Sequence, residues 1–111
     1  MKAIIALKEN KDFRRLYTRG KSYVSPVLVT YVMKSREKNT RVGITTSKKT
    51  GNAVKRSRSR RVIREAYRRL QPQVKDGFDL VFVARAKTPY TKSTELMNVI
   101  YKQLNQAGVL K

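Results

Sequence analysis

Eight basic side chains, Lys55, Arg56, Arg58, Arg60, Arg61, Arg64, Arg68 and Arg69, stand between positions 55 and 69 with Glu65 as their one acidic companion. Solvated charge runs normally mix signs, so this imbalance asks for a chemical partner. Arginine outnumbers lysine here by seven to one. Its planar fork meets phosphate oxygens two at a time, which a device for solubility alone does not need. On a helix, Arg56, Arg60 and Arg64 follow at i, i+4 steps, and Arg58, Arg61, Arg68 and Arg69 widen the stripe. Upstream, Ser47-Lys48-Lys49-Thr50-Gly51-Asn52 leads into that helix. Small residues and backbone N–H groups at a helix N-terminus suit an anion, and Lys48 and Lys49 add charge.

The groups of protein-based catalysis are scarce. With no cysteine and no histidine, the chain lacks thiolate ligands, the commonest metal ligand and the commonest general base. Its acids are Glu9, Asp12, Glu37, Glu65, Asp76, Asp79 and Glu95. Only Asp76 and Asp79 stand close together, flanking a turn, and all seven read as turn residues or helix-end charges. Gly20-Lys21-Ser22 imitates the end of a phosphate-binding P-loop, but Arg15 occupies the place of the required earlier glycine. No active site and no tightly bound metal are therefore expected in the protein itself.

Aromatic residues offer a second chemistry. Phe13 and Tyr17 lie one helical turn apart, and Tyr31 belongs to a strand that could adjoin them. Such rings can fill a core, Phe13 above all. If the sheet face is only partly covered, they can instead stack unpaired bases or ribose, and tyrosine's polar tip suits a half-open cleft.

These side chains need a scaffold. A chain of 111 residues, 40% of them hydrophobic, supports one modest core and hence a single domain, 1–111. A net charge of +20 repels itself unless a polyanion relieves it. Nucleic acid, an anionic membrane surface and an acidic protein are the candidates. No apolar run approaches the ~20 residues needed to span a bilayer. The patch Ala3 to Leu7 is shorter than the ~7–15 residues of a signal-peptide core, so a cytoplasmic protein without a membrane partner is expected.

Phe13, Leu16 and Tyr17 give Asn10 to Thr18 a helical period, stopped at Gly20. Pro26 to Val32 and Arg41 to Thr46 are β-branched and aromatic, and the polar KSREKN between them reads as a hairpin loop. In the first strand Val27, Val29 and Tyr31 share one face, and Leu28, Thr30 and Val32 the other. A helix is expected from about Asn52 to Leu70, ended by Pro72 and anchored by Val54, Val62, Ile63, Ala66, Tyr67 and Leu70. DLVFVAR runs apolar without alternation, as in a strand covered on both sides. The last helix starts at a Ser93 or Thr94 cap and ends at Gly108. The order is α-β-β-α-β-α, with room for a further short strand over Lys21 to Val24. That is an α+β fold, a two-layer α/β sandwich with an antiparallel-rich sheet.

The block RVGITTSKKTGNAVKRSRSRRVIREAYR, Arg41 to Arg68, resembles the signature of the bacterial ribonuclease P protein family: arginine-hydrophobic-glycine, a lysine pair, glycine-x-alanine-valine, then two arginines flanking one residue. DFRRLYTRGKS, DLVFVARAKT and ELMNVIYKQLNQAGVL are similar to that family's first helix, last strand and last helix. The resemblance implies a sandwich shared with one ribosomal-protein domain, with a left-handed crossover through the basic helix where topology rules alone favour the right-handed one. It implies the protein subunit of an endoribonuclease that removes the 5′ leader of precursor tRNA. The catalytic Mg²⁺ is then held mainly by the partner RNA. The RNA-binding set it implies is Lys48, Lys49, Asn52, Lys55, Arg56, Ser57, Arg58, Arg60, Arg61, Arg64 and Arg68. The leader cleft maps to Phe13, Tyr17 and Tyr31. Ser57 replaces the asparagine usual between the two arginines, and Ser59 replaces an apolar residue. The alternative is a ribosomal or general RNA-binding protein without a role in catalysis. DNA is not an expected partner, because no helix-turn-helix precedes Asn52.

Overall fold

The computed structural model describes residues 3–111, so the first two residues of the expected 1–111 domain lie outside it. Its elements are β1 (Ile5–Ala6), α1 (Asn10–Arg19), β2 (Lys21–Val24), β3 (Leu28–Lys34), β4 (Arg41–Thr45), α2 (Ala53–Leu70), β5 (Phe78–Ala84) and α3 (Ser93–Ala107). Short 3₁₀ turns at Gln71–Gln73 and Thr88–Tyr90 lead out of α2 and toward α3.

One five-stranded sheet has the order β1-β4-β5-β3-β2. β5 pairs antiparallel with β3 and parallel with β4, which makes β4–α2–β5 a crossover between parallel neighbours. This corrects the expected hairpin between β3 and β4. Those strands are not partners, and β5 lies between them. Apart from Asp79 its side chains are apolar toward both faces, and the centre of the sheet is where both faces can be covered. The segment read as a hairpin loop is tied instead to the entry of β5. Ser35 N donates to Gly77 O at 2.8 Å and Thr40 Oγ1 to Lys75 O at 2.6 Å.

Leu80, Phe82 and Ala84 of β5 meet Leu28 and Val32 of β3 and Val42 of β4 in one layer. α2 covers that layer with Ile63, Ala66, Tyr67 and Leu70, and α3 with Leu96, Ile100 and Leu104. The helical period of both segments is thus spent on the sheet. Val54 is an exception: at the first turn of α2 it is exposed rather than anchoring. Ser59, whose hydroxyl replaces an apolar group, is fully buried and donates to Lys55 O at 2.9 Å, so the polar atom is satisfied. The buried Gln103 amide ties α3 to the sheet, donating to Tyr23 O at 2.9 Å and Leu28 O at 3.1 Å.

The opposite face carries a smaller cluster, Leu7, Leu16 and Val81, with Phe13, Tyr31, Met33 and Val83 half-buried around it. α1 is the helix on this side. Strand β1 was not expected; its two residues extend β4 in parallel, and Leu7 N donates to Val42 O at 2.9 Å. A pair of residues carries no readable period. The start of α3 also differs from expectation. Lys92 precedes the first turn with no side-chain cap, and Ser93 and Thr94 lie inside the helix. Among the described residues no helix is long and apolar enough to cross a membrane.

Candidate nucleic-acid interface

On the α1 side, register sets the side chains in cross-strand rows. Arg41, Asp79 and Met33 form one, Gly43, Val81 and Tyr31 the next, and Thr45, Val83 and Val29 the third. α1 locks onto the first row through charge. Asp79, 1% exposed, receives Arg41 Nε and NH2, each at 2.9 Å. Asp12 receives Arg15 NH2 at 2.6 Å and Arg41 NH1 at 3.5 Å. The hydrogen bond to Asp79 pushes the Arg41 pKa up, against the lowering pull of burial. Asp12 stands in the first turn of α1, as a helix-end charge would, whereas Asp79 lies within β5 rather than in a turn. Both are buried and paired, and Arg41 links Asp12 of α1 to Asp79 of the sheet.

The second row leaves room for a ring. Gly43 is buried, and a Cβ there would sit 2.5 Å from Phe13 Cε1, so the glycine exists for close approach. Tyr17 meets Tyr31 edge-on, with centroids 5.0 Å apart at 75°. The Tyr17 hydroxyl donates to Thr45 Oγ1 at 3.4 Å. Phe13, Tyr17 and Tyr31 are thus brought together as expected, Phe13 half-buried and Tyr17 42% exposed. The opening of about 480 Å³ beside them is lined by Asn10, Phe13, Arg14, Tyr17 and Thr45.

The basic helix divides its arginines between two surfaces. Arg60, Arg64 and Arg68 line a groove of about 500 Å³ with Phe13, Gly43 and Ile4. Phe13 lines both openings, so the groove and the aromatic cleft adjoin at its ring. Arg58 and Arg61 point elsewhere, into a hollow shared with Lys92, Ser93 and Thr94 at the start of α3. Sequence spacing alone had merged these flanks into one broad stripe.

Two residues of the expected RNA-binding set also hold their own loop. Arg56 NH1 donates to Gly51 O at 3.2 Å, and Arg60 NH1 to Thr46 Oγ1 at 2.9 Å. Asn52 caps α2, its Oδ1 accepting from Lys55 N at 3.0 Å. Gly51 adopts φ 134°, and a Cβ there would lie 2.6 Å from Lys55 Cδ. The turn that follows β4 presents Lys48 and Lys49 to solvent, while Thr50 is buried and accepts from Ser47 N. Ser57, Arg58, Arg61, Arg64 and Arg68 are exposed. Asn10, Arg14, Gly43 and Thr45 complete the site and were missed. Arg14, three residues before Tyr17, could have been found by extending the helical face.

The ribonuclease P family model matches residues 1–108. A ribonuclease P protein component from Clostridium novyi is 43% identical over 111 residues, covering 98% of this chain and 98% of that one. The corresponding component of Clostridioides difficile is 46% identical over 83 residues, covering 74% of this chain and 73% of the other. Among solved structures, the ribonuclease P protein of Staphylococcus aureus superposes with a TM-score of 0.83 at 29% identity, covering 98% of this chain and 100% of that chain. That of Thermotoga maritima gives 0.79 at 26% identity, covering 91% and 96%.

Proposed function

The chain belongs to the ribonuclease P protein family and is a protein subunit of that tRNA-processing endoribonuclease, and on this premise we propose how its surfaces divide the work. The exposed flank of α2 with Arg58 and Arg61, together with Lys48 and Lys49, holds the ribonuclease P RNA. The aromatic cleft of Phe13, Tyr17 and Tyr31 holds the single-stranded leader of precursor tRNA. Bases stack on the rings, and the leader phosphates pass on to Arg60, Arg64 and Arg68. The observation that carries this reading is that Phe13 walls both the cleft and the arginine groove.

Catalysis is assigned to the RNA. The chain has neither histidine nor cysteine, and Asp12 and Asp79, its buried carboxylates, are engaged by Arg15 and Arg41. Among the described residues no three potential ligands from His, Cys, Asp and Glu come together. The Mg²⁺ ions of the reaction then belong mainly to the partner RNA, where they would activate water and steady the leaving oxygen. The protein's part is to neutralise phosphate repulsion between two RNAs and orient the substrate. The family resemblance further leads us to infer a left-handed sense for the β4–α2–β5 crossover and a cytoplasmic location without DNA partners.

Reconstitution tests it. Added to ribonuclease P RNA at low Mg²⁺, the chain should raise the rate of precursor-tRNA cleavage at the mature 5′ end. No rate gain overturns the reading.

A further inference from the structure

A second aromatic surface lies across the sheet from the leader cleft. Tyr90, at the end of the 3₁₀ turn between β5 and α3, is 70% exposed. Its ring walls a groove of about 450 Å³ that is also lined by Pro26, Val27, Val99, Lys87 and Glu95. Val27, which precedes β3 and so leaves the face expected for it beside Tyr31, packs with Val99 against the core under α2 and α3, whereas Phe13 and Tyr31 pack against the cluster under α1. The sheet therefore separates this groove from the cleft. Lys55, in the first turn of α2, holds its Nζ 5.3 Å from the Tyr90 ring centroid.

A single exposed ring needs no explanation. Here the ring stands beside an apolar floor, carries a cation from the basic helix, and shares its groove with Lys87 and a carboxylate. Glu95 is one of only seven acids in the chain, and Asp12 and Asp79 are consumed internally. A ring, cations for phosphate and an acceptor for a base edge are the elements of single-stranded RNA recognition.

We propose that this groove receives one unpaired nucleobase of the ribonuclease P RNA, stacked on Tyr90 over Pro26, Val27 and Val99. Glu95 accepts a hydrogen bond from an exocyclic amino group of the base, and Lys55 and Lys87 lie against the flanking phosphates. The choice of RNA rests on the family assignment and on position, since the groove adjoins the RNA-holding helix and faces away from the leader cleft.

The test measures the affinity of the full chain for ribonuclease P RNA across a salt series. Tyr90→Ala weakens binding about tenfold, because base stacking is lost, while the salt slope stays unchanged and Tyr90→Phe binds normally. Lys87→Ala instead lowers the slope by up to ~0.9. Glu95→Ala is the sharpest arm. Deleting a negative charge facing RNA should by itself tighten binding, so a weakening requires a lost base contact, and a tightening overturns the role of Glu95. Equal affinity of Tyr90→Ala and the unaltered chain, with equal melting temperatures, overturns the site. A loss confined to precursor tRNA overturns the choice of RNA. Failure of the family reading looks different: the unaltered chain then gives no rate gain in reconstitution.

Discussion

Along β5, Leu80, Phe82 and Ala84 enter the layer beneath α2 and α3, while Val81 and Val83 point to the side of α1. Two helices cover the first face, and the side chains along its centre lose all contact with water. One ten-residue helix covers part of the second, leaving the row of Thr45, Val83 and Val29 half-buried and Tyr17 exposed. Neighbouring positions of a single strand thus serve opposite ends, stability on one face and an accessible aromatic floor on the other. The difference lies in the cover rather than the strand, since β-branched and aromatic residues occur on both sides.

The comparison breaks most readily at Phe82. Phe82→Ala should cost about 3–5 kcal/mol, as for large cavities in cores. Val83→Ala, its half-buried neighbour, should cost about 1 kcal/mol from the lost methyl groups. Denaturant melts in sulfate, which screens the +20 charge, measure both; equal losses would dissolve the distinction between the faces.

A pH titration sharpens it next. Burial, aided by the charge of Asp76, pushes Tyr67 up to about 12 from the ordinary value of 10.0. The fold therefore favours the neutral phenol. Its contribution is whole below the unfolded value and is lost as pH rises from about 10 to about 12. The fall is at most about 1.4 kcal/mol per pH unit, about 2–3 kcal/mol in all. Tyr67→Phe should flatten that part of the stability curve, and an unaltered slope would place the phenol in water.

The smallest free-energy change is expected in the cleft. Tyr17→Ala, at a ring 42% exposed, should alter stability by less than about 1 kcal/mol, and Tyr31→Ala, at a half-buried ring, by about 1–2 kcal/mol. They should raise KM for a long-leader precursor about tenfold relative to a one-nucleotide leader, the worth of a stacked base. Equal effects on both substrates would remove the leader from this face.

Much of this was legible beforehand, for local reasons. The boundaries of α1 and α2 follow from periods and punctuation within each segment, and strand β5 reads from its unbroken apolar run. The three rings of the cleft were named because the helix places Phe13 beside Tyr17, and Tyr31 faces the same way as Val29. What escaped depends on partners far along the chain. Nothing near Asp79 announces Arg41 across the β4–β5 ladder, and nothing near Gly43 announces Phe13 above it. The supposed hairpin failed similarly, since loop polarity says that a chain turns but not which strand slips between its arms.

A basic arginine helix, a chain without the usual catalytic side chains, and the apolar periods of a small sheet with helices can all be read before the chain is folded. These depend on residue type and spacing alone. Folding adds that β5 parts β3 from β4, that α1 is tied to the sheet through Asp12, Arg41 and Asp79, and that the arginines split into two flanks. Charge and period are properties of a segment, whereas a cleft is a property of segments brought together. The physical reason is that register and close approach are set by which surfaces can be buried at once, and no single stretch of chain carries that condition.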